Sequence, residues 1–460
     1  MPSQRSGFAR RSNRRVGQLF RNIANADSAT FDESVLWAWM GLLAFGVLSF
    51  GAVEPWSLAT FEVGAGVLLV WWLVAAMHSG KLRISLPPIL LPAVVFFGYI
   101  VFQIVGRVTV YGFASKNSLF LFLAFGICVF VGAQVLHSEE SFQKFGIAAS
   151  GFGFVIAALA IAQALTSPGE IYWTVVANSP DGVFGPYVNH SHYAGLMEML
   201  IPFPFVLGRG RTLPHSLRGF AFIAAVVMVA SVFMSASRGG IVAVVVELCL
   251  MYFLVYRRSE DDVHRRQGGQ RWVNVVSVVA AFGLVAFLGG QEMFARISTL
   301  KDPYGNTVGA TRIAIAKDCL VMFARHPFLG WGAGVFQEVY PAFRSFSTNL
   351  VVNAAHNDYL QLLVEFGLAG CAIAVCFLVV AFHRFRALKE NWKDSWPHAV
   401  SFAALFGVIG ILVHSFTDFN LQVPANAALF YVMCAVASLR PADPLVNGGD
   451  EKLVKSDVSA

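Results

Sequence analysis

Residues 354–382 read AAHNDYLQLLVEFGLAGCAIAVCFLVVAF. From Tyr359 to Phe382 the run is almost unbroken apolar sequence, long enough at 1.5 Å per residue to cross the roughly 30 Å of hydrocarbon in a bilayer. A polar cluster, His356, Asn357 and Asp358, stands just before it, where a long polar stretch meets this helix. The apolar run decides the class of fold, and the cluster points to where chemistry is to be sought.

Eleven similar runs surround it, so that spans are read at about 35–53, 58–78, 86–106, 117–136, 145–165, 188–207, 217–235, 239–256, 273–290, 359–382, 397–414 and 421–438. The 460 residues are 57% hydrophobic and 13% charged, with mean hydropathy +0.63, against about 25% charge in soluble domains. Backbone groups in lipid must bond internally, and strand-type alternation is absent, so the spans are helices. The expectation is an all-α polytopic membrane protein with about twelve transmembrane helices.

Charge sets the orientation. With the N-terminus in the cytoplasm, 24 of the 33 Lys and Arg fall in inside segments, and six of the nine outside lie in 291–357. This positive-inside pattern predicts an even number of spans with both termini cytoplasmic. It also explains the net charge of +6 without a nucleic-acid partner. The first 34 residues are polar and basic, unlike a cleavable signal peptide. The predicted organisation is a basic cytoplasmic N-tail at 1–34, helices one to nine within 35–290, a periplasmic loop domain at 291–357, helices ten to twelve within 358–438, and a cytoplasmic C-tail at 439–460. A second outside segment, 166–187, is rich in Gly, Pro and aromatic residues. The six cysteines are scattered, form no CxxC pair and read as small buried thiols.

The unusual polar residues gather on the outside face. Within 291–357, residues 309–325 predict a helix ending at His326-Pro327. At 100° per residue Lys317, Asp318 and Arg325 share a polar face, while Arg312 lies opposite, in register with Ala316, Cys319 and Phe323. A guanidinium there needs an anion or a wet cavity; a structural ion pair or a snorkelling side chain is the plainer alternative. Arg238, in Ser235-Ala236-Ser237-Arg238-Gly239-Gly240, opens the next helix. Unpaired N–H groups, the positive dipole end and a bidentate guanidinium together suit a phosphate or diphosphate, against the plainer role of interfacial anchor. His356 reads either as a residue of a helix cap or as a general base. Asn189, His190 and His192 head span six, and His414, Asp418 and Asn420 lie between spans eleven and twelve. His190-x-His192 has no third ligand at a matching spacing, the outside acids contain no D-x-D pair, and Asp261-Asp262 falls in a cytoplasmic loop. A metal site is therefore not expected. Gly330-Trp331-Gly332-Ala333-Gly334 follows no strand, so it reads as a tight turn rather than a dinucleotide loop.

Four stretches together, Ser235–Gly240, His326-Pro327-Phe328-Leu329-Gly330-Trp331-Gly332, Ala355–Leu360 through Glu365-Phe366-Gly367-Leu368, and Gly185-Pro186-Tyr187-Val188-Asn189-His190-Ser191-His192-Tyr193-Ala194, resemble the O-antigen ligase and polymerase superfamily over about 180–440. The resemblance implies a multispan glycosyltransferase (GT-C-like) architecture in the bacterial inner membrane. It implies a metal-independent, inverting enzyme without cofactors, active on the periplasmic face. Such an enzyme moves a glycan from an undecaprenyl diphosphate carrier to an acceptor hydroxyl of a glycan or of lipid A core, in O-antigen, capsule or exopolysaccharide biosynthesis. It implies diphosphate binding by Arg238 and Arg312, with Arg296 the alternative to Arg312, and acceptor activation by His356. Asn189, His192, Asp358, His414 and Asp418 are candidate supporting residues. The chain departs from the family pattern at His190, where another residue is expected. The alternative class, a multispan transporter or lipid-linked-glycan flippase, rests on Glu198 and Glu247 near the middle of spans six and eight.

Overall fold

The computed structural model describes residues 31–78, 84–176, 182–256, 307–349 and 351–439. Span nine (273–290), Arg296, most of the N-tail and nearly all of the C-tail lie outside these. The described chain is predominantly helical. Helices α1 (Phe31–Leu48), α2 (Pro55–His78), α3 (Leu90–Val105), α4 (Gly112–Val135) and α5 (Glu139–Thr166) precede a small antiparallel hairpin of β1 (Glu170–Ile171) and β2 (Val175–Val176). Then come α6 (His190–Leu200), α7 (Pro202–Arg209), α8 (His215–Ser235) and α9 (Arg238–Met251), followed by a π turn at Tyr252–Tyr256. After the undescribed segment come α10 (Thr307–Arg325), the short α11 (Phe336–Val339), α12 (Asp358–Phe382), α13 (Phe385–Asn391), α14 (Trp396–His414) and α15 (Pro424–Ser438).

Seven of these helices, α1, α2, α4, α5, α8, α12 and α14, are long and apolar enough to cross a membrane, and α3 and α15 are shorter apolar helices. Of the five expected spans not among these seven, 273–290 lies outside the described residues, the third is the 16-residue α3, and the other three have local causes. Span six is two helices, because Pro202 and Pro204 follow Leu200 and proline has no N–H to carry the ladder onward. Span eight ends as a π turn, and span twelve is a 15-residue helix started by Pro424.

Helix α14 is the axis of the bundle. In its span window 78% of the residues are buried, against 28% for α2 and α8, which present apolar faces outward. Small residues permit its close packing. A β-carbon at Gly407 would stand 2.7 Å from the Met199 carbonyl oxygen, and one at Gly410 would stand 3.2 Å from Glu198 Cβ and 3.3 Å from the Glu247 carboxyl. The thiols are not uniformly interior: Cys128, Cys319 and Cys434 are buried, whereas Cys249 and Cys376 are exposed on the outward faces of α9 and α12.

The expected helix at 309–325 is α10, but its polar face is split. Ile315, Cys319 and Met322 are buried in a small separate core with Phe336 and Tyr340. Asp318 is buried with them, accepting from Tyr340 Oη (2.9 Å) and from the Ser345 backbone N–H (3.1 Å). Lys317 and Arg325 remain exposed. The helical wheel put Asp318 on the wet side; two donors from the following loop let it be buried.

The glycine-rich run is more than a turn. Gly330, Gly332 and Gly334 all have positive φ (70°, 119°, 68°). The run lies against α12 where that helix breaks at Gly367 (φ 61°, ψ −165°). The amides freed by the break donate to the loop, Leu368 to the Pro327 carbonyl (2.8 Å) and Ala369 to the Phe328 carbonyl (3.1 Å). In return Trp331 and Gly332 N–H donate to the carbonyls of Val364 and Glu365. Gln103 Nε2 bridges the Leu329 and Glu365 carbonyls. Irregular backbone is tolerated here because protein groups satisfy it.

Candidate functional site

The site is assembled at one end of the bundle by the turn 415–419, which follows α14. Its start is set by His414, whose carbonyl accepts from the N–H of Thr417 (2.8 Å) and of Asp418 (3.2 Å). Asp418 is almost fully buried, and its Oδ1 accepts from the Phe419 N–H at 2.9 Å. Two candidates named from sequence meet on this carboxylate. Arg312, from α10, places Nη2 3.6 Å from Asp418 Oδ2 and donates from Nη1 to the Thr417 carbonyl at 2.8 Å. His356 places Nδ1 3.7 Å from Asp418 Oδ1. That gap is beyond hydrogen-bond distance, so the imidazole acts on Asp418 as a neighbouring charge when protonated.

Burial alone would raise the Asp418 carboxyl. His356, together with the charges of His192, Arg312 and His414, outweighs burial and holds it well below the ordinary carboxylate range. The site thus keeps a fixed negative charge between a guanidinium and an imidazole.

Arg238 opens α9, and Ser237 caps that helix by accepting from the Gly240 N–H at 3.2 Å. Ala236 supplies the sharp entry with a left-handed φ of 56°. The turn is pressed against its neighbours. A β-carbon at Gly239 would lie 2.3 Å from Thr417 Oγ1 and 2.7 Å from His414 Nε2; one at Gly240 would lie 2.5 Å from Ala194 Cβ. The exposed Arg238 is therefore one residue from a contact with the turn that carries Asp418, on which Arg312 and His356 meet.

The supporting candidates have the following places. Asn189 caps α6 by accepting from the Ser191 N–H (2.8 Å). The His192 and His356 rings both meet the Phe419 ring edge-to-face, at 4.7 and 4.8 Å. Asp358 is buried, its N–H donating to the Ser415 carbonyl and its Oδ2 accepting from Ser415 Oγ (2.8 Å) and the Leu421 N–H (3.2 Å). The cap of α12 is Asn357, which accepts from the Leu360 N–H (3.0 Å) and donates to the Phe416 carbonyl (2.8 Å). His414 pairs through Nδ1 with Glu198 Oε1 at 2.8 Å. Glu247, the other membrane carboxylate, faces Glu198 across Gly410.

Sequence reading passed over Ser415, Thr417, Phe419 and Gln361. The first three are uncharged residues of a short turn and carry no periodic signal; Gln361 lies inside an apolar helix, where one amide looks incidental.

An apolar cavity of about 650 Å³ opens beside this cluster. Asp358, Gln361, Glu365 and Gln422 line its polar end, and Phe96, Phe122 and Phe377 are among its walls.

The sequence profile of a family described as O-antigen ligase matches residues 223–375, a segment that runs from α8 through much of α12 and holds Arg238, Arg312 and His356. Comparison with the curated proteins gives no match. Over residues 223–375, a third of its length, the chain is similar to the O-antigen ligase family.

Proposed function

We propose that the protein transfers a glycan from an undecaprenyl diphosphate carrier to an acceptor hydroxyl on the periplasmic face of the inner membrane, as a polymerase or ligase of O-antigen, capsule or exopolysaccharide. The observation that carries this reading is the meeting of Arg312 and His356 on Asp418 beside the N-terminus of α9, which Arg238 opens. The proposed architecture keeps twelve spans, with 291–357 as a periplasmic loop domain and both termini cytoplasmic.

The chemistry is a single displacement. The acceptor oxygen bonds to the anomeric carbon from the face opposite the diphosphate, the carbon–oxygen bond to the diphosphate breaks, and the configuration inverts. The acceptor proton goes to His356. Because Nδ1 faces Asp418, Nε2 is the nitrogen left to accept it, and the imidazolium then formed is stabilised by the Asp418 carboxylate. The leaving diphosphate gathers negative charge as the bond breaks. Arg238 with the N–H groups of the first turn of α9, and the Arg312 fork, supply the compensating donors. These donors perform the role a cation would otherwise fill, so the reading is of a metal-independent enzyme. Glu198, on which a transport function rested, is paired to His414 at the foot of the same turn, which favours a structural part in this site over an ion path.

The test uses purified protein in liposomes, donor lipid extracted from cells lacking the protein, and separate measurements of undecaprenyl diphosphate affinity and of turnover. His356→Ala should lose at least about a hundredfold in turnover, within the range for a general base, with affinity within about twofold, and EDTA should leave the wild type unaffected. Wild-type turnover in His356→Ala removes the base. Loss of activity in EDTA, restored by a divalent cation, removes the metal-free mechanism.

A further inference from the structure

His356 has φ 50°, a left-handed conformation that a residue bearing a β-carbon holds only when its surroundings impose it. The residues on both sides are pinned. After it, Asn357 is fixed to Phe416 and Leu360, and the Asp358 N–H to the Ser415 carbonyl. Before it, the Ala355 N–H donates to Gln361 Oε1 at 2.9 Å, with both groups buried. Gln361 is itself held, because its Nε2 donates to Glu365 Oε1 at 3.1 Å. The other Glu365 oxygen accepts from the Gly334 N–H at 2.9 Å. Gly334 is locked in turn: at φ 68° a β-carbon there would lie 2.0 Å from Ser118 Oγ of α4. A continuous chain of hydrogen bonds therefore runs from the glycine-rich loop through Glu365 and Gln361 to the residue before His356. The function described above gives this chain no role, although it places a carboxylate and an amide inside an apolar helix.

We propose that Gln361 and Glu365 are positioning residues for transfer, holding the backbone of Ala355 and His356 so that the imidazole faces both Asp418 and the acceptor hydroxyl. The proposal rests on the reading of His356 as the base. Gln361 fixes the peptide; Glu365 fixes the amide orientation of Gln361, because its Oε2 accepts from the Gly334 N–H and its Oε1 from Gln361 Nε2, which leaves Gln361 Oε1 for Ala355. A positioning role of this kind acts on the chemical step and leaves the diphosphate arginines undisturbed.

Gln361→Leu removes the acceptor, and Gln361→Met does so with an unbranched side chain of similar length. Both are prepared in full-length protein in liposomes. Each should lower kcat by at least about tenfold while leaving KM for donor and affinity for undecaprenyl diphosphate within about twofold, the pattern of a group that acts only in the transition state. Glu365→Gln, which retains an acceptor for the Gly334 N–H, should lose less than Glu365→Leu. Wild-type kcat in both Gln361 variants overturns the proposal. So does a parallel loss of affinity and turnover, or failure of both variants to fold, since either marks a merely structural glutamine. His356→Ala run alongside separates the two ideas. An inactive His356→Ala beside fully active Gln361 variants removes the positioning chain alone, whereas a fully active His356→Ala removes the base on which it depends.

Discussion

At the residue scale, the two arginines differ in surroundings, and that difference predicts different responses. Arg238→Lys keeps the charge but loses the planar fork, so turnover should fall about tenfold to a hundredfold if bidentate contact to diphosphate is what the position supplies. Arg312→Ala removes the proposed diphosphate donor and also leaves the buried Asp418 without its guanidinium. Its turnover should fall by about a hundredfold or more. Arg325→Ala, on the exposed side of the same helix, should change turnover by less than about twofold. Comparable damage from Arg325→Ala and Arg312→Ala, read as glycan transferred per minute, would undo the assignment of faces on α10. Asp418 also fixes how pH should act. Its folded-state pKa is depressed, so its stabilising contribution is complete above the unfolded value of about 3.9 and is lost only as pH falls through the lower folded value. Between pH 7 and 5 Asp418 stays ionised.

At the element scale, the join between the glycine-rich loop and the broken helix α12 should be the least tolerant part of the fold. Gly330→Ala places a β-carbon 2.4 Å from the Glu365 carbonyl oxygen at a φ of 70°. The backbone strain alone costs on the order of 1–3 kcal/mol, and the clash adds to it. Gly98→Ala in α3, which meets nothing within 4 Å, should be neutral or stabilising by up to about 1 kcal/mol. Thermal unfolding in detergent checks the pair, and equal midpoints would mean the loop yields without cost. This join also marks where sequence reading stopped. Helix α10 was legible from its apolar period and the His326-Pro327 stop, and Arg312 from its place off the polar face. Asp318 was misplaced because the two donors that permit its burial lie 22 and 27 residues onward. The three glycines predict a turn, but the surface the turn packs on is a break in a helix more than thirty residues later. Nothing in the local apolar pattern of 359–382 announces that break. The same holds for Phe419, whose importance comes from two histidine rings brought to it by α6 and by the segment before α12.

At the scale of the whole molecule, the positions of Arg312 and His356 are useful only if their end of the bundle faces the compartment where the carrier displays its glycan. The charge distribution predicts 291–357 outside and 383–396, with its four Lys and Arg, inside. Impermeant maleimide labelling checks this directly. Ser347→Cys is on an exposed loop beside α11, and Glu390→Cys is exposed on α13. The native thiols interfere little. Cys319, the one on the same side as Ser347, is buried, and burial, with Asp318 beside it, pushes its thiol up to about 12, so it is scarcely ionised near neutral pH. Cys249 and Cys376 are exposed on apolar helix faces, where a charged reagent in water does not reach. In cells with a permeabilised outer membrane, Ser347→Cys should label at once, while Glu390→Cys should label only after the inner membrane is opened. The opposite order would turn the cluster on Asp418 toward the cytoplasm, and with it the face on which transfer has to occur. Labelling of both before lysis would mean that α12 does not cross the membrane, and would remove the span that separates His356 from the cytoplasmic side.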